Sequence, residues 1–242
     1  EDERIAIRGS YTELGEPTPR GTIRFLGGPA PRAIESSSGR LELARSIASD
    51  TNPLTARVLV NRVWGRLFGE WIVRTPDDFG HLVQLPSHPQ LLDYLAHRFV
   101  EEGWSLKKLV RLLVSSAAWQ QSGVRTERAA IIDPDNRLWS YRPLRRLEAE
   151  AIRDSILYVA DRFDPALYGP PIDPFRTSTD PTKRLFCGPI DGNGRRSIYQ
   201  KMTLMDPPRL LATFNQPMPK QTTGRRDVAN VPTQARSLLN DP

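Results

Sequence analysis

A mainly α fold is what this 242-residue chain predicts. Three observations carry that expectation. Helix caps and stops crowd the stretch from Asn52 to Gln121. Apolar residues recur there at helical spacing rather than in alternation. Strand-like alternation is confined to short runs near the start, around Ile5 and Ile7 and around Ile23 and Phe25.

Taken in order, residues 1–38 read as an extended arm, because Pro17, Pro19, Pro29 and Pro31 interrupt any longer element. The arm is expected to wrap an orthogonal helical body spanning residues 39–163. A first helix is predicted over 40–49, with Leu41, Ala44, Ile47 and Ala48 on one face. Asn52-Pro53 then opens a second helix. The Asn side-chain oxygen can accept an orphan N–H, and Pro loses nothing where no partner for its N–H exists. Leu59, Val60, Val63, Trp64, Leu67 and Phe68 give that helix a wide apolar face, and Gly69 stops it.

Thr75-Pro76-Asp77-Asp78 has the form of another helix start, with Asp78 in the position of a capping box. Ser87-His88-Pro89-Gln90 repeats the logic and opens a helix carrying Leu91, Leu92, Leu95, Ala96, Phe99 and Val100, which ends at Gly103. Ser105 caps the next, which carries Leu106, Leu109, Val110, Leu113 and Ala117. The short Gly103-Trp104-Ser105 connection makes the two a helical hairpin. Residues 122–141 read as a polar link, and 144–163 as a fifth helix. Beyond 164, Pro and Gly cluster and Ser197–Met205 is a strand candidate. The segment 164–242 is therefore expected as a Pro/Gly-rich excursion with minor β structure, packed on the body within one domain overall. Both ends read as cut, so the chain is expected to be an internal fragment truncated at its C-terminus.

Bulk properties narrow the function classes. Net charge is +6, from 34 Lys and Arg against 28 Asp and Glu. Arg is distributed along the chain, often within a turn of an acid, rather than gathered on one basic face as a nucleic-acid interface requires. No apolar run approaches the length of a membrane span. The single cysteine, Cys187, excludes an internal disulfide and any CxxC metal or haem-attachment motif in these residues, and reads as a small loop residue.

Few residues are left over for chemistry. Asp77, Asp78, His81 and His88 fall close together in sequence and are the candidates for acid–base or metal-ligand roles, set against the plainer reading that the Asp pair favours the positive end of a helix dipole. Arg57, Asn61 and Arg62 share one stretch of the second helix and could fork onto a carboxylate, phosphate or sulfate. The competing reading is an internal ion-pair network with the Asp77–Asp78 loop. Trp64 and Trp104 read as core, while Trp119 and Trp139 are less constrained by pattern. Arg145 and Arg146, with Glu148 and Glu150 nearby, read as a solvated ion-pair face.

The run NPLTARVLVNRVWGRLFGEWIVRTPDDFG, with PSHPQLLDYLAHRFVEEGWSLKKLVRLLVSS, resembles the C-terminal planctomycete-specific domain of unknown function found in planctomycete cytochrome-c-like proteins. IAIRGSYTELGEPTPRG, RRLEAEAIRDSIL, RRSIYQK and VPTQARSLLND extend the resemblance over nearly the whole chain. The resemblance implies no assigned activity and no catalytic residues. It implies an extracytoplasmic, periplasmic setting, and haem only in an upstream domain, so no cofactor is expected here. Expected partners are that haem domain or another envelope protein, with extracellular, perhaps sulfated, polysaccharide as the alternative. One departure is Asn215 of Phe214-Asn215-Gln216-Pro217, where the family tends to carry Asp; an acidic site there would be weakened.

Overall fold

The computed structural model describes residues 3–18, 38–80, 84–176, 187–204 and 207–240. Among them the fold is mainly α, with one two-stranded sheet. The chain divides into two compact units, Glu1–Pro143 and Leu144–Pro242.

In the first unit, β1 (Arg4–Ala6) pairs antiparallel with β2 (Leu14–Pro17). Ile5 and Ile7 are exposed, and the Ile23–Phe25 run lies outside the described residues. The helices are α1 (Arg40–Ile47), α2 (Thr55–Phe68), α3 (Pro89–Glu101), α4 (Leu106–Val114) and α5 (Glu127–Ile132). Asn52 performs its expected capping from just ahead of α2. Its Oδ1 accepts from the N–H groups of Leu54 at 3.0 Å and Thr55 at 3.2 Å. Gly69 closes α2 with φ 89°.

The α3–α4 connection is set by helix-end chemistry. Gly103 is left-handed at φ 74°. The Trp104 N–H donates to Phe99 O and the Gly103 N–H to Val100 O, both at 2.9 Å. Trp104 then stacks edge-on to Phe99 with ring centroids 5.3 Å apart, the apolar contact that accompanies this kind of stop. Ser105 Oγ accepts from the Lys108 N–H and starts α4.

The core of this unit is formed by Val60, Trp64 and Phe68 of α2, Leu92, Leu95, Ala96 and Phe99 of α3, Leu109 and Leu113 of α4, and Ile72, Val73 and Trp139. Trp64 stacks on Phe68 at 4.0 Å and meets Trp139 edge-on at 5.3 Å. Gly65 is there because Trp71 lies on it. A Cβ at Gly65 would fall 2.4 Å from the Trp71 indole nitrogen. Trp139 reaches the core through a tied loop. The buried Asp133 carboxylate accepts the N–H groups of Arg137 and Leu138, and left-handed Asn136 accepts the Ser140 N–H.

Three expectations fail in this unit. Thr75–Asp78 is a turn rather than a helix start: the Thr75 hydroxyl donates to Asp78 O, and the Asp78 carboxylate accepts the Gly80 N–H two residues on, both contacts that close a loop locally. His88, not Ser87, holds the capping position of α3, and its side chain makes no cap bond. The 122–141 link contains α5, started by Thr126 accepting from the Ala129 N–H.

The second unit contains α6 (Ala149–Val159), α7 (Arg209–Thr213) and α8 (Pro232–Asn240). The helix expected over 144–163 is shorter because Glu148 is extended (φ −70°, ψ 156°) and Asp161 is left-handed (φ 56°). Of the Ser197–Met205 strand candidate, Met205 lies outside the described residues, and the rest forms a 3-10 turn at Ser197–Tyr199 and a bridge from Gln200 to Ile172. The apolar cluster here is small: Ala149, Leu211 and Phe214, with Ile152 and Leu210 against it.

Candidate functional site

The residues singled out by sequence in the first unit each have a local partner where they are described. Arg57 Nε donates to Asp93 at 2.7 Å, and its Nη1 donates to Pro53 O. Asn61 is fully buried. Its Nδ2 donates to Val73 O at 3.0 Å and its Oδ1 accepts the Val73 N–H at 2.9 Å, so one amide satisfies both backbone groups of a buried residue. Arg62 and Asp77 approach to 3.6 Å, both half exposed. Asp78 holds the Gly80 N–H. His88 Nδ1 lies 3.1 Å from Ser87 Oγ. His81 lies outside the described residues. The structure joins Arg62 to Asp77, as the internal-network reading expects, but gives Arg57 to Asp93 on α3 instead of to the Asp77–Asp78 loop. Among the described residues, no group of three or more His, Cys, Asp or Glu is placed to hold a metal ion.

A denser polar assembly occurs in the second unit, around α6. Glu150 receives Arg226 in a two-pronged pair, Nη1 to Oε2 at 2.6 Å and Nη2 to Oε1 at 3.0 Å, and also Gln216 Nε2 at 3.2 Å. Burial alone would push the Glu150 carboxyl upward. The hydrogen bonds from Arg226, from backbone and from Gln216, with the Arg226 charge, outweigh it and hold the group below its ordinary value. Arg226 is raised in return, chiefly by its hydrogen bond to Glu150. The carboxylate and the guanidinium thus need each other charged.

One turn along α6, Arg153 is buried. Its Nη1 donates to Arg195 O at 2.9 Å and Ser197 Oγ at 3.2 Å, and its Nη2 to Asp191 O at 2.6 Å. Burial lowers its pKa, partly offset by the charges of Asp154 and Asp191. Asp154 accepts both the N–H and the hydroxyl of Ser197 at 2.7 Å. These contacts fix a loop with three successive left-handed residues, Gly192, Asn193 and Gly194. A Cβ at Gly194 would lie 2.0 Å from Arg162 O, so only glycine fits that approach.

The third tie is Gln234 of α8, almost fully buried. Its Nε2 donates to Thr213 O at 3.0 Å and Asn215 Oδ1 at 3.1 Å, while its Oε1 accepts from Arg146 at 2.7 Å and from the Val231 N–H at 3.3 Å. All four of its hydrogen-bonding capacities are used. The reading of Arg145–Glu150 as a solvated face is corrected for two of its members. Arg146 reaches Gln234 and Ala229 O, far along the chain, and Glu150 takes Arg226. Periodicity on one helix could not show partners so distant in sequence. Asn215 also gains a physical role. It is left-handed at φ 63°, and the Gln216 N–H donates back to Leu211 O, so it ends α7. Asn is among the few side chains that tolerate this conformation.

These contacts define a helical module whose clustered polar side chains bind backbone and one another, joining loops to helices. The chain belongs to the PSD1 family, described as a protein of unknown function (DUF1553), whose model matches residues 39–242. No curated protein and no solved structure matches it. No helix among the described residues is long and apolar enough to cross a membrane.

Proposed function

We propose that this chain is a non-catalytic accessory domain, an interaction module of a larger extracytoplasmic protein of the planctomycete cytochrome-c-like kind. One observation carries the reading. Arg57, Asn61, Arg62, Asp77, Asp78 and His88, the residues with the chemistry to act, are each engaged in a local contact that serves the fold. The resemblance to the cytochrome-associated family supports the extracytoplasmic setting and the expectation of haem in an upstream domain, whose surface is the nearest candidate partner. The test is a two-part measurement on the full chain. Binding to the haem domain of its own protein, followed by calorimetry, is expected to give a saturable heat. Incubation with neutral and sulfated polysaccharides is expected to release no new reducing ends. Turnover of any of these polymers, abolished by His88→Ala or Asp78→Asn, would overturn the reading.

A further inference from the structure

Two loops are gripped by α6, and their grips differ in chemistry. Gln216 and Arg226 are ten residues apart in sequence, yet both bind the one carboxylate of Glu150. Their convergence closes the base of the intervening loop, in which Met218, Lys220, Gln221, Thr222 and Thr223 are exposed. The 191–197 loop is held differently. Arg153 donates to the carbonyl oxygens of Asp191 and Arg195, and the Asp154 carboxylate accepts the N–H and hydroxyl of Ser197, so this loop is held by several groups, none of them Glu150. We propose that Glu150 is a charge-dependent clasp on the 217–225 loop, which opens when that carboxylate is neutralised while the 191–197 loop stays closed.

Neither grip is fully satisfied. Gln216 Oε1 and Arg226 Nε at the clasp, and Arg195 Nε in the other loop, are buried without a hydrogen-bond partner among the described residues. Around Glu150 stand Arg226 from the loop and Glu148, which shares the same guanidinium at 3.4 Å. On the next turn of α6 are Arg153 and Asp154, facing Asp191, Arg195 and Arg196 of the other loop. From α8, Gln234 engages Arg146, and α7 carries Arg209. Because the Glu150 carboxyl sits below its ordinary value, the clasp is fully formed above the carboxyl's unfolded-state pKa. It is lost as pH falls through the folded-state value. This proposal stands independently of the accessory-domain reading.

The test is limited trypsin digestion of the full chain at neutral pH. Glu150→Gln keeps the shape and removes the charge. Cleavage after Lys220 is expected to rise about tenfold, because proteolysis tracks the population of the open form. Cleavage after Arg195 and Arg196 should stay as in the parent. Arg153→Met should do the reverse. Should Glu150→Gln lose its helical circular dichroism, a pH titration of the parent chain by NMR decides instead. The Gln216 side-chain and Lys220 amide signals should then shift together as Glu150 protonates, with the helical circular dichroism retained. Cleavage after Lys220 unchanged in a folded variant, or Gln216 and Lys220 signals that do not move with the Glu150 carboxyl, overturns the proposal.

Discussion

In the first unit α2 lies against α3 and α4 through Val60, Trp64, Phe68, Leu95, Phe99 and Leu113, a continuous apolar and aromatic core. In the second unit the apolar cluster between α6 and α7 is smaller, Ala149, Leu211 and Phe214 among the described residues, with Leu157 of α6 buried outside it. The rest of its grip is polar: Glu150 on Arg226, Arg153 on two carbonyls, Gln234 on four partners. The lesson concerns what each strategy asks of the sequence. An apolar core needs the right face and volume. A polar grip needs every donor matched to an acceptor, since an unmatched buried group costs more than a made bond contributes. The first tolerates conservative change, and the second does not.

That contrast can be broken by substitution, the largest effect falling in the aromatic core. Trp64→Ala removes the ring that both Phe68 and Trp139 contact, and should cost about 4 kcal/mol in urea unfolding. A loss below 1 kcal/mol would mean that Trp64 is not the centre of that core. Asn61→Leu keeps the volume but leaves the buried N–H and C=O of Val73 unpaired, for a loss of about 3 kcal/mol. A neutral outcome would mean that the Asn61 amide does not hold Val73 in place. Arg153→Met should lower the stability of the second unit by about 2 kcal/mol, read from amide protection of α6, while α2 amides are unchanged. Equal loss in both units would contradict their separate grips. Smallest is Arg57→Ala. With the Arg57 and Asp93 side chains 37% and 58% exposed, the loss should stay under about 1 kcal/mol, within the range of surface pairs.

The apolar half of this architecture was legible in the sequence and the polar half was not, for a physical reason. Trp64, Phe68, Leu92, Leu95 and Phe99 recur at the helical period, and the stops at Gly69 and Gly103 need a left-handed residue that glycine supplies, so local pattern carried that information. Gln234, Arg226 and Ser197 have no period. Their partners lie on other elements far along the chain, so composition around them shows only polar residues. Thr75–Asp78 forms a turn where a helix start is expected because a Thr-Pro-Asp-Asp string suits both, and only the residues that follow decide. The Arg57–His88 candidates were visible as residue types, but their partners Asp93 and Val73 were not.

Hydrogen exchange of the full chain in rising urea puts the central contrast to its most direct test. The α6 amides should lose protection at lower urea than the α2 and α3 amides, as a polar grip over a small apolar cluster requires. Protection of α6 that equals or outlasts that of α2 would contradict the account.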